Sequence, residues 1–291
     1  MKSVKNLVRY WCDDTIQNKY LGQGICVAVL DTGIASHPEF RGQILTFYDA
    51  VNGLIMPYDD SGHGTHVCGI IAGKQIGMAP KVKLVVCKVL DKNGDGKVHH
   101  IMKAVRWVLE HQKSYNIRIV NISAGMSKTT DKRDEERLLN GVEALWDAGI
   151  VVVTAAGNKG PGRGTITIPG ISKKVITVGS LPDSRDKRKY SGQGPTKECV
   201  CKPDVIAPGT NVFSCNANYV KGRELPYVSK SGTSMATPVV SGAIANLLSK
   251  YPDMSNVEAK LRLRESCTDL HLPRNRQGWG LLNVEKLMKV K

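Results

Sequence analysis

Residues 24–30 read GICVAVL, a short run of apolar side chains that shows no alternation between polar and apolar positions. Four other runs share this character: VKLVVCKVL (82–90), IRIVNIS (117–123), GIVVVTAA (149–156) and KVITVGS (174–180). A strand with one solvent-exposed face alternates polar and apolar residues. Uninterrupted apolar runs of this length therefore predict strands that are buried on both faces, as in parallel sheets.

Helix candidates lie between these strands, at 99–113, at 134–149 and in the segment that follows Ser234. Alternation of strands with helices predicts an α/β fold, with a mainly parallel central sheet and helices on its faces. No internal repeat, long linker or break in composition divides the chain. We therefore expect a single domain over residues 1–291.

The bulk composition indicates a folded globular protein, because 41% of the 291 residues are hydrophobic and 23% are charged. The formal net charge is +15, but the basic residues are spread along the chain and aromatic residues make up only 5%. This pattern favours a solvated basic surface over a nucleic-acid site, with affinity for acidic partners as the alternative. No apolar run approaches the ~18 residues that a membrane span requires, so we expect no membrane partner.

Eight cysteines are scattered along the chain, most of them inside apolar segments. This usage predicts free thiols in a reducing cytosol, and the pair Cys199 and Cys201 lacks a second pair that would complete a zinc site. The first twenty residues contain no apolar core typical of a signal peptide. The sequence therefore predicts a cytoplasmic location, with a secreted mature form as the alternative if the chain has been shortened.

Three of the predicted strands end in polar or small residues, at the edge where open parallel sheets bind ligands. The first run ends at Asp31, Thr32 and Gly33. The third ends at Ser123, Ala124 and Gly125, and the fourth at Ala156, Gly157 and Asn158. A carboxylate and an amide are thus predicted at one edge of the sheet.

An imidazole and a hydroxyl occur at two further element boundaries. His63 lies in GHGTHVCGIIAG (62–73), and Ser234 lies in KSGTSMATPVVSGAIANLL (230–248), where Pro238 is tolerable in a first helical turn. Acyl transfer needs a hydroxyl, an imidazole that takes its proton and a carboxylate that orients the imidazole. Taken singly, Ser234 is also typical of a helix N-cap, and Asp31 and Asn158 are typical of turns.

The motifs DTG, HGTH and GTSMATP, in this order, resemble those of the subtilisin-like serine endopeptidases, the subtilase family, and the resemblance covers residues 24–282. It implies the subtilisin-like three-layer fold. It also implies that Ser234 is the nucleophile, His63 the general base and then acid, and Asp31 its orienting partner. Asn158 would be the side-chain donor of the oxyanion hole, beside the backbone N–H of Ser234.

The same resemblance implies a peptide or protein substrate that binds in a cleft as an added strand. Ser123, Ala124 and Gly125 would form the edge with which the peptide pairs. The other expected substrate-binding residues are Ala155, Ala156 and Gly157 around the pocket, Asp95 and Gly96 on the opposite wall, and Thr233 at the helix entrance.

The sequence departs from the family in its calcium-binding region. It passes from IIAGKQ (70–75) directly to IGMAP (76–80), without room for the calcium loop of many secreted relatives, and Glu39 stands where they have an Asp. We therefore expect the tight calcium site to be absent and no cofactor to be required, while other calcium sites remain open. DKNGDGKVHHIM (91–102) imitates a calcium loop but has Met102 at the last ligand position, which favours a surface turn.

Secreted members of the family carry a pro-region ahead of the catalytic domain. Either such a region or the N-terminal segment 1–20, lying across or beside the cleft, would restrain an active cytosolic protease. Two alternatives to a general serine endopeptidase remain at this point: a catalytically silent subtilase-fold binding or signalling module, and a dedicated processing protease. For the latter, Asp59, Asp60 and Asp95 hint at basic side chains in the substrate.

Overall fold

The central sheet of the protein consists of seven parallel strands. The computed structural model describes residues 1–124, 131–183, 189–219 and 223–289. The strands are β1 Cys26–Asp31, β2 Ile44–Asp49, β3 Lys83–Lys88, β4 Ile117–Ile122, β5 Val151–Ala155, β6 Ile176–Ser180 and β7 Val205–Ala207. Their order is β2-β3-β1-β4-β5-β6-β7, so the chain crosses from one side of β1 to the other between β3 and β4. Such a reversal places a crevice at the carboxyl ends of the strands, where Asp31 ends β1.

The five strands predicted from apolar runs are confirmed as β1, β3, β4, β5 and β6. Every residue of β1, β5 and β6 is buried, which explains why these runs show no alternation. Three-residue β7 and edge strand β2, of which only Asp49 is buried, were not predicted. An antiparallel pair, β8 Val212–Cys215 with β9 Tyr227–Lys230, was also missed because both strands are short and β9 has no buried residue.

Helices cover the sheet in two layers, which confirms the α/β three-layer prediction. They are α1 Lys2–Leu7, α2 Asp13–Ile16, α3 His63–Ala72, α4 Val98–His111, α5 Lys132–Asp147, α6 Thr233–Lys250, α7 Asn256–Ser266, α8 Arg274–Gln277 and α9 Val284–Met288. Helices α3 and α6 pack together against the sheet, and α4 and α5 form another packed pair. Helix α6 is buried from its first residue through Leu248, because its small side chains allow close approach on all sides.

The buried apolar side chains form one continuous cluster that extends from Val4 to Met288 within the described residues. Across that same part of the chain, no helix has both the length and the apolar character needed to cross a membrane.

The N-terminal segment does not lie over the cleft, so this part of the sequence prediction is wrong. The carbonyl oxygen of Val8 accepts a hydrogen bond from the Val284 N–H at 2.8 Å, and Asp14 pairs with Lys250 at 2.7 Å. Lys250 is the last residue of α6, and at 1.5 Å per residue it lies about 24 Å along the helix from Ser234. The segment therefore packs at the end of α6 remote from the helix entrance.

Candidate active site

Asp31 and His63 are joined by a short hydrogen bond. His63 Nδ1 lies 2.7 Å from Asp31 Oδ1, which also accepts the N–H of Thr32 at 2.8 Å. Asp31 is fully buried, and its Oδ2 has no hydrogen-bond partner within the described residues. This carboxylate can therefore hold the imidazole with Nδ1 as donor, which leaves Nε2 free to take a proton.

The surroundings of His63 raise the pKa of its imidazole. Burial by itself would lower the pKa of the imidazole, but the charge of Asp31 and its hydrogen bond outweigh burial and raise that pKa above 6.5. Lys230 opposes this rise through its positive charge. The His63 side chain is 24% exposed, so the ring reaches the surface although Asp31 does not.

Asp59 fixes His63 at the start of α3. Its Oδ1 accepts hydrogen bonds from Thr32 Oγ1 and the Gly62 N–H, both at 2.8 Å, and its Oδ2 accepts from the Thr65 N–H at 2.8 Å and from Thr65 Oγ1 at 2.6 Å. Burial alone would raise the pKa of Asp59, but these hydrogen bonds outweigh it and lower the pKa below 3.8. Because the carboxylate satisfies first-turn amides of α3, it ties the end of β1 to the helix that carries His63.

The carboxylates of Asp59 and Asp60, for which the sequence suggested basic substrate side chains as partners, both have partners within the protein. Asp60 pairs at 2.7 Å with Lys88, whose side chain is fully buried. The Lys88 ammonium also donates to the carbonyl oxygens of Thr32, at 2.7 Å, and Leu90, at 3.0 Å. The position of Asp59 shortly before the helix that begins at His63 could have indicated a capping role, whereas the partner of Asp60 lies 28 positions away in sequence.

His66 and Cys68 lie close to His63 in sequence but are structural. His66 Nε2 lies 3.0 Å from the carbonyl oxygen of Val228, and burial lowers the pKa of this imidazole to about 3, which keeps the ring neutral. Cys68 is fully buried, and burial raises the pKa of its thiol well above 9.0. A protonated thiol of this kind is a poor nucleophile.

Ser234 lies at the entrance of α6, directly after a tight approach at Gly232. A Cβ atom on Gly232 would lie 2.9 Å from Ser234 Oγ and 3.4 Å from Asn158 Nδ2, so only glycine leaves this space open. Ser234 is 9% exposed, and the positive end of the helix dipole lies beside it. Its hydroxyl makes no hydrogen bond to His63 within the described residues, and such catalytic contacts often tighten only when substrate is bound.

Thr233 orients the amide of Asn158. The Thr233 N–H and Oγ1 donate to Asn158 Oδ1 at 2.9 and 3.0 Å, which leaves the Nδ2 group of this exposed side chain free on the side of Ser234. Thr233 Oγ1 also accepts the Gly157 N–H at 3.2 Å. Thr233, predicted from the sequence to bind substrate, is only 1% exposed, and its hydroxyl supports Asn158.

The segment after β4, Ser123 and Ala124, is the predicted edge for pairing with substrate. The Ser123 hydroxyl points inward and accepts from Asn121 Nδ2 at 2.8 Å. Neither Ser123 nor Ala124 makes a backbone hydrogen bond to another described residue. Free backbone groups at such an edge can pair with an extended peptide. Gly125, the third residue predicted for this edge, lies outside the described residues.

The residues at the end of β5 are held tightly. Ala155, Ala156 and Gly157 are all buried. Gly157 has φ +92°, and a Cβ atom on it would come within 2.4 Å of Thr167 Oγ1. Beside this segment lies a cavity of about 620 Å³, lined in part by Thr167 and Ile168, but none of Ala155, Ala156 or Gly157 contributes to its lining.

Asp95 and Gly96 belong to a turn before α4. Asp91 Oδ1 accepts the N–H groups of Asn93 and Asp95 at 2.9 and 3.0 Å, and Gly96 forms an antiparallel bridge with Leu90. The Asp91 carboxylate thus binds its own loop, as expected for a surface turn, and Asp95 is exposed. Among the residues described, no three His, Cys, Asp or Glu side chains are grouped so that they could hold a metal ion.

A buried carboxylate that holds an imidazole, with a helix-entrance serine and an amide donor at the same sheet edge, defines the class of serine hydrolases with an Asp-His-Ser site. The sequence pattern of the subtilase family matches residues 22–280, and the chain belongs to this family.

Individual relatives agree with this assignment. The chain is 39% identical to "Serine protease AprX" of Bacillus subtilis (strain 168), with 91% of the chain and 66% of that protein covered. It is 34% identical to "Subtilisin DY" of Bacillus licheniformis, with 91% of both covered. A solved structure described as a cold adapted subtilisin-like serine proteinase has a TM-score of 0.77 at 29% identity and covers 91% of this chain and 90% of its own. The chain thus spans just under two thirds of AprX but nearly all of Subtilisin DY.

Proposed function

We propose that the protein is an active serine endopeptidase in which Ser234 attacks the carbonyl carbon of a peptide bond. The observation that carries this proposal is the 2.7 Å contact between His63 Nδ1 and Asp31 Oδ1, which leaves Nε2 as the only ring nitrogen free to accept a proton. Family membership supports the same reaction. The substrate is a peptide or protein.

In the first half of this reaction, the hydroxyl proton of Ser234 passes to His63 Nε2 as Oγ bonds to the carbonyl carbon. The resulting oxyanion receives hydrogen bonds from Asn158 Nδ2 and the Ser234 N–H. His63 then gives its proton to the leaving nitrogen, the C–N bond breaks and an acyl-enzyme remains. Water attacks this ester with His63 again as base, which releases the acid and restores Ser234.

Substrate binding as an added strand is supported by the backbone of Ser123 and Ala124 at the end of β4, which has no backbone partner among the described residues. The processing-protease alternative has less support, because the carboxylates of Asp59 and Asp60 already bind Thr65 and Lys88, whereas Asp95 is exposed. The silent-module alternative also has less support, because a catalytically inactive module would not need Thr233 to orient the amide of Asn158.

We also propose that the protein needs no calcium at Glu39. One carboxylate oxygen of Glu39 accepts from the Tyr227 hydroxyl at 2.6 Å and the other from the Gln75 N–H at 2.8 Å. Lys5 is buried nearby, and burial lowers the pKa of its ammonium to about 8 against the opposing charge of Glu39. These contacts satisfy the acid without a metal.

A reducing cytoplasmic environment is part of the proposal as well, and the eight cysteines, all of them unpaired, are consistent with it. The existence of a pro-region stays a prediction.

Labelling with a fluorophosphonate probe tests the activity. We expect the wild-type chain and a Ser229→Ala control to be labelled, since Ser229 is exposed on β9, and Ser234→Ala to remain unlabelled. Equal labelling of the wild type and Ser234→Ala would refute the nucleophile, and a wild type that is neither labelled nor able to cleave denatured casein would favour the silent module.

A further inference from the structure

Lys230 places a positive charge next to His63. Its ammonium donates to the carbonyl oxygen of Gly62, the residue before His63, at 3.1 Å. The side chain is half-buried, and burial lowers the pKa of Lys230 although Asp59 and Asp31 act against this. The ammonium thus lies close enough to His63 to interact with its ring electrostatically.

Within the part of the chain that the structure describes, Lys230 forms no ion pair. Lys88, Lys202 and Lys250 each pair with a carboxylate, at 2.6 to 2.7 Å. In contrast, no carboxylate in the described ranges comes within ion-pairing distance of Lys230. Its one hydrogen-bond acceptor in these ranges is the neutral carbonyl oxygen of Gly62. An ammonium has three donors, so two of them remain available at a site where water is partly excluded. Such a group favours an anionic ligand.

Lys230 lies on the side of the site that would bind the leaving half of a peptide, the half after the scissile bond. The acyl half lies towards Asn158, because the oxyanion must reach its amide. The leaving nitrogen must lie against His63, which gives it a proton. Lys230 binds the backbone of Gly62, the residue before His63. Lys230 is also the last residue of β9, and β9 contacts α3 where the carbonyl oxygen of Val228 meets His66. The residue that begins the leaving half is therefore the one that passes closest to the ammonium.

We propose that Lys230 is a specificity-determining residue that selects Asp or Glu as the first residue after the scissile bond. This inference rests on the proposed peptidase activity. It concerns the chemistry of the substrate and leaves the order of bond making and breaking unchanged.

Three internally quenched peptides test the proposal: they share one sequence but carry Asp, Ala or Lys directly after the scissile bond. We expect the wild type to show a kcat/KM about tenfold higher for Asp than for Lys at low ionic strength, as for a charge pair in a partly desolvated site. Lys230→Met should reduce this ratio to about one, Lys230→Glu should invert it and Lys230→Arg should retain it. High salt should weaken the preference of the wild type.

A chromogenic substrate that ends in p-nitroanilide, with no residue after the scissile bond, separates this proposal from the peptidase proposal. Failure of every variant and the wild type on this substrate would refute the peptidase activity itself. Lys81→Met is the matched control, because Lys81 is exposed and also donates to a backbone carbonyl, that of Asn18 at 3.0 Å, at the opposite end of the sheet. It should keep the wild-type ratio. Active enzyme with equal rates for Asp and Lys, or a preference that survives in Lys230→Met, would overturn the role of Lys230.

Discussion

Thr233→Val tests whether the orientation of Asn158 matters for the reaction. Valine has nearly the shape of threonine, so the buried site stays filled, but the Oγ1 atom that contacts Asn158 Oδ1 at 3.0 Å is lost. The bond from the Thr233 N–H to the same oxygen, at 2.9 Å, remains. The substitution therefore removes one of the two restraints on the amide and leaves the amide itself in place.

The magnitude follows from the value of one hydrogen bond. A net contribution of about 1 kcal/mol corresponds to about fivefold in rate, so kcat should fall by about that factor. KM should hardly change if the amide acts mainly on the oxyanion. The fall should be well below the loss of about 100- to 1000-fold that removal of an oxyanion-hole donor causes, a figure measured on subtilisin itself. Loss of the acceptor for the buried Gly157 N–H should also cost about 1–3 kcal/mol of folding free energy.

The assay is steady-state hydrolysis of the chromogenic peptide in a double-mutant cycle, with folding checked by thermal unfolding. Thr233→Ser retains Oγ and is the control, with kcat expected within about twofold of the wild type. In an Asn158→Ala background, Thr233→Val should have little further effect on kcat. A fivefold fall in both backgrounds would show that Thr233 acts independently of Asn158 and would refute the reasoning.

Other predictions concern stability and pH. Asp59→Asn should lower the free energy of unfolding by about 3 kcal/mol near neutral pH, since two charge-assisted hydrogen bonds are lost. Because the folded pKa of Asp59 lies below 3.8, this advantage of the wild type is present above that pH and should fade as the pH falls through the folded pKa, which urea unfolding at several pH values can follow. Lys230→Met should raise the pKa of His63, since Asp31 and Asp59 then act without an opposing charge. The acid limb of the pH profile of kcat/KM should therefore move to higher pH, and an unchanged limb would contradict this prediction. Deletion of residues 1–12 should destabilise the protein by roughly 5 kcal/mol, from the loss of three buried apolar side chains that include Val8, and should not raise the activity of the folded fraction.

Strands and site residues could be predicted from the sequence where a segment is uniformly buried or a motif is continuous. Strand β1 could be predicted because all six of its residues are buried, and Asp31 because it follows such a run. Strand β2 could not, since five of its six residues are partly or fully exposed at the sheet edge and no clear period results.

The roles of side chains were harder to predict than their positions. Thr233 was placed at the entrance of α6, but only the structure shows that its hydroxyl donates to Asn158. The location of the N-terminal segment depends on contacts such as that of Val8 with Val284, which lie far apart in sequence and have no local signal. The pairing of Asp60 with Lys88 is hidden for the same reason.

Lys88 has a consequence for how the cleft keeps its shape. One ammonium joins the residue after Asp31, the loop that leads to His63 and the segment after β3 at Leu90. A bound metal ion would hold such loops only to the extent that its concentration exceeds its dissociation constant, whereas a lysine side chain is covalently attached and cannot be diluted away. The contacts of Lys88 thus hold these three segments through protein groups alone, and we expect chelators not to loosen these contacts.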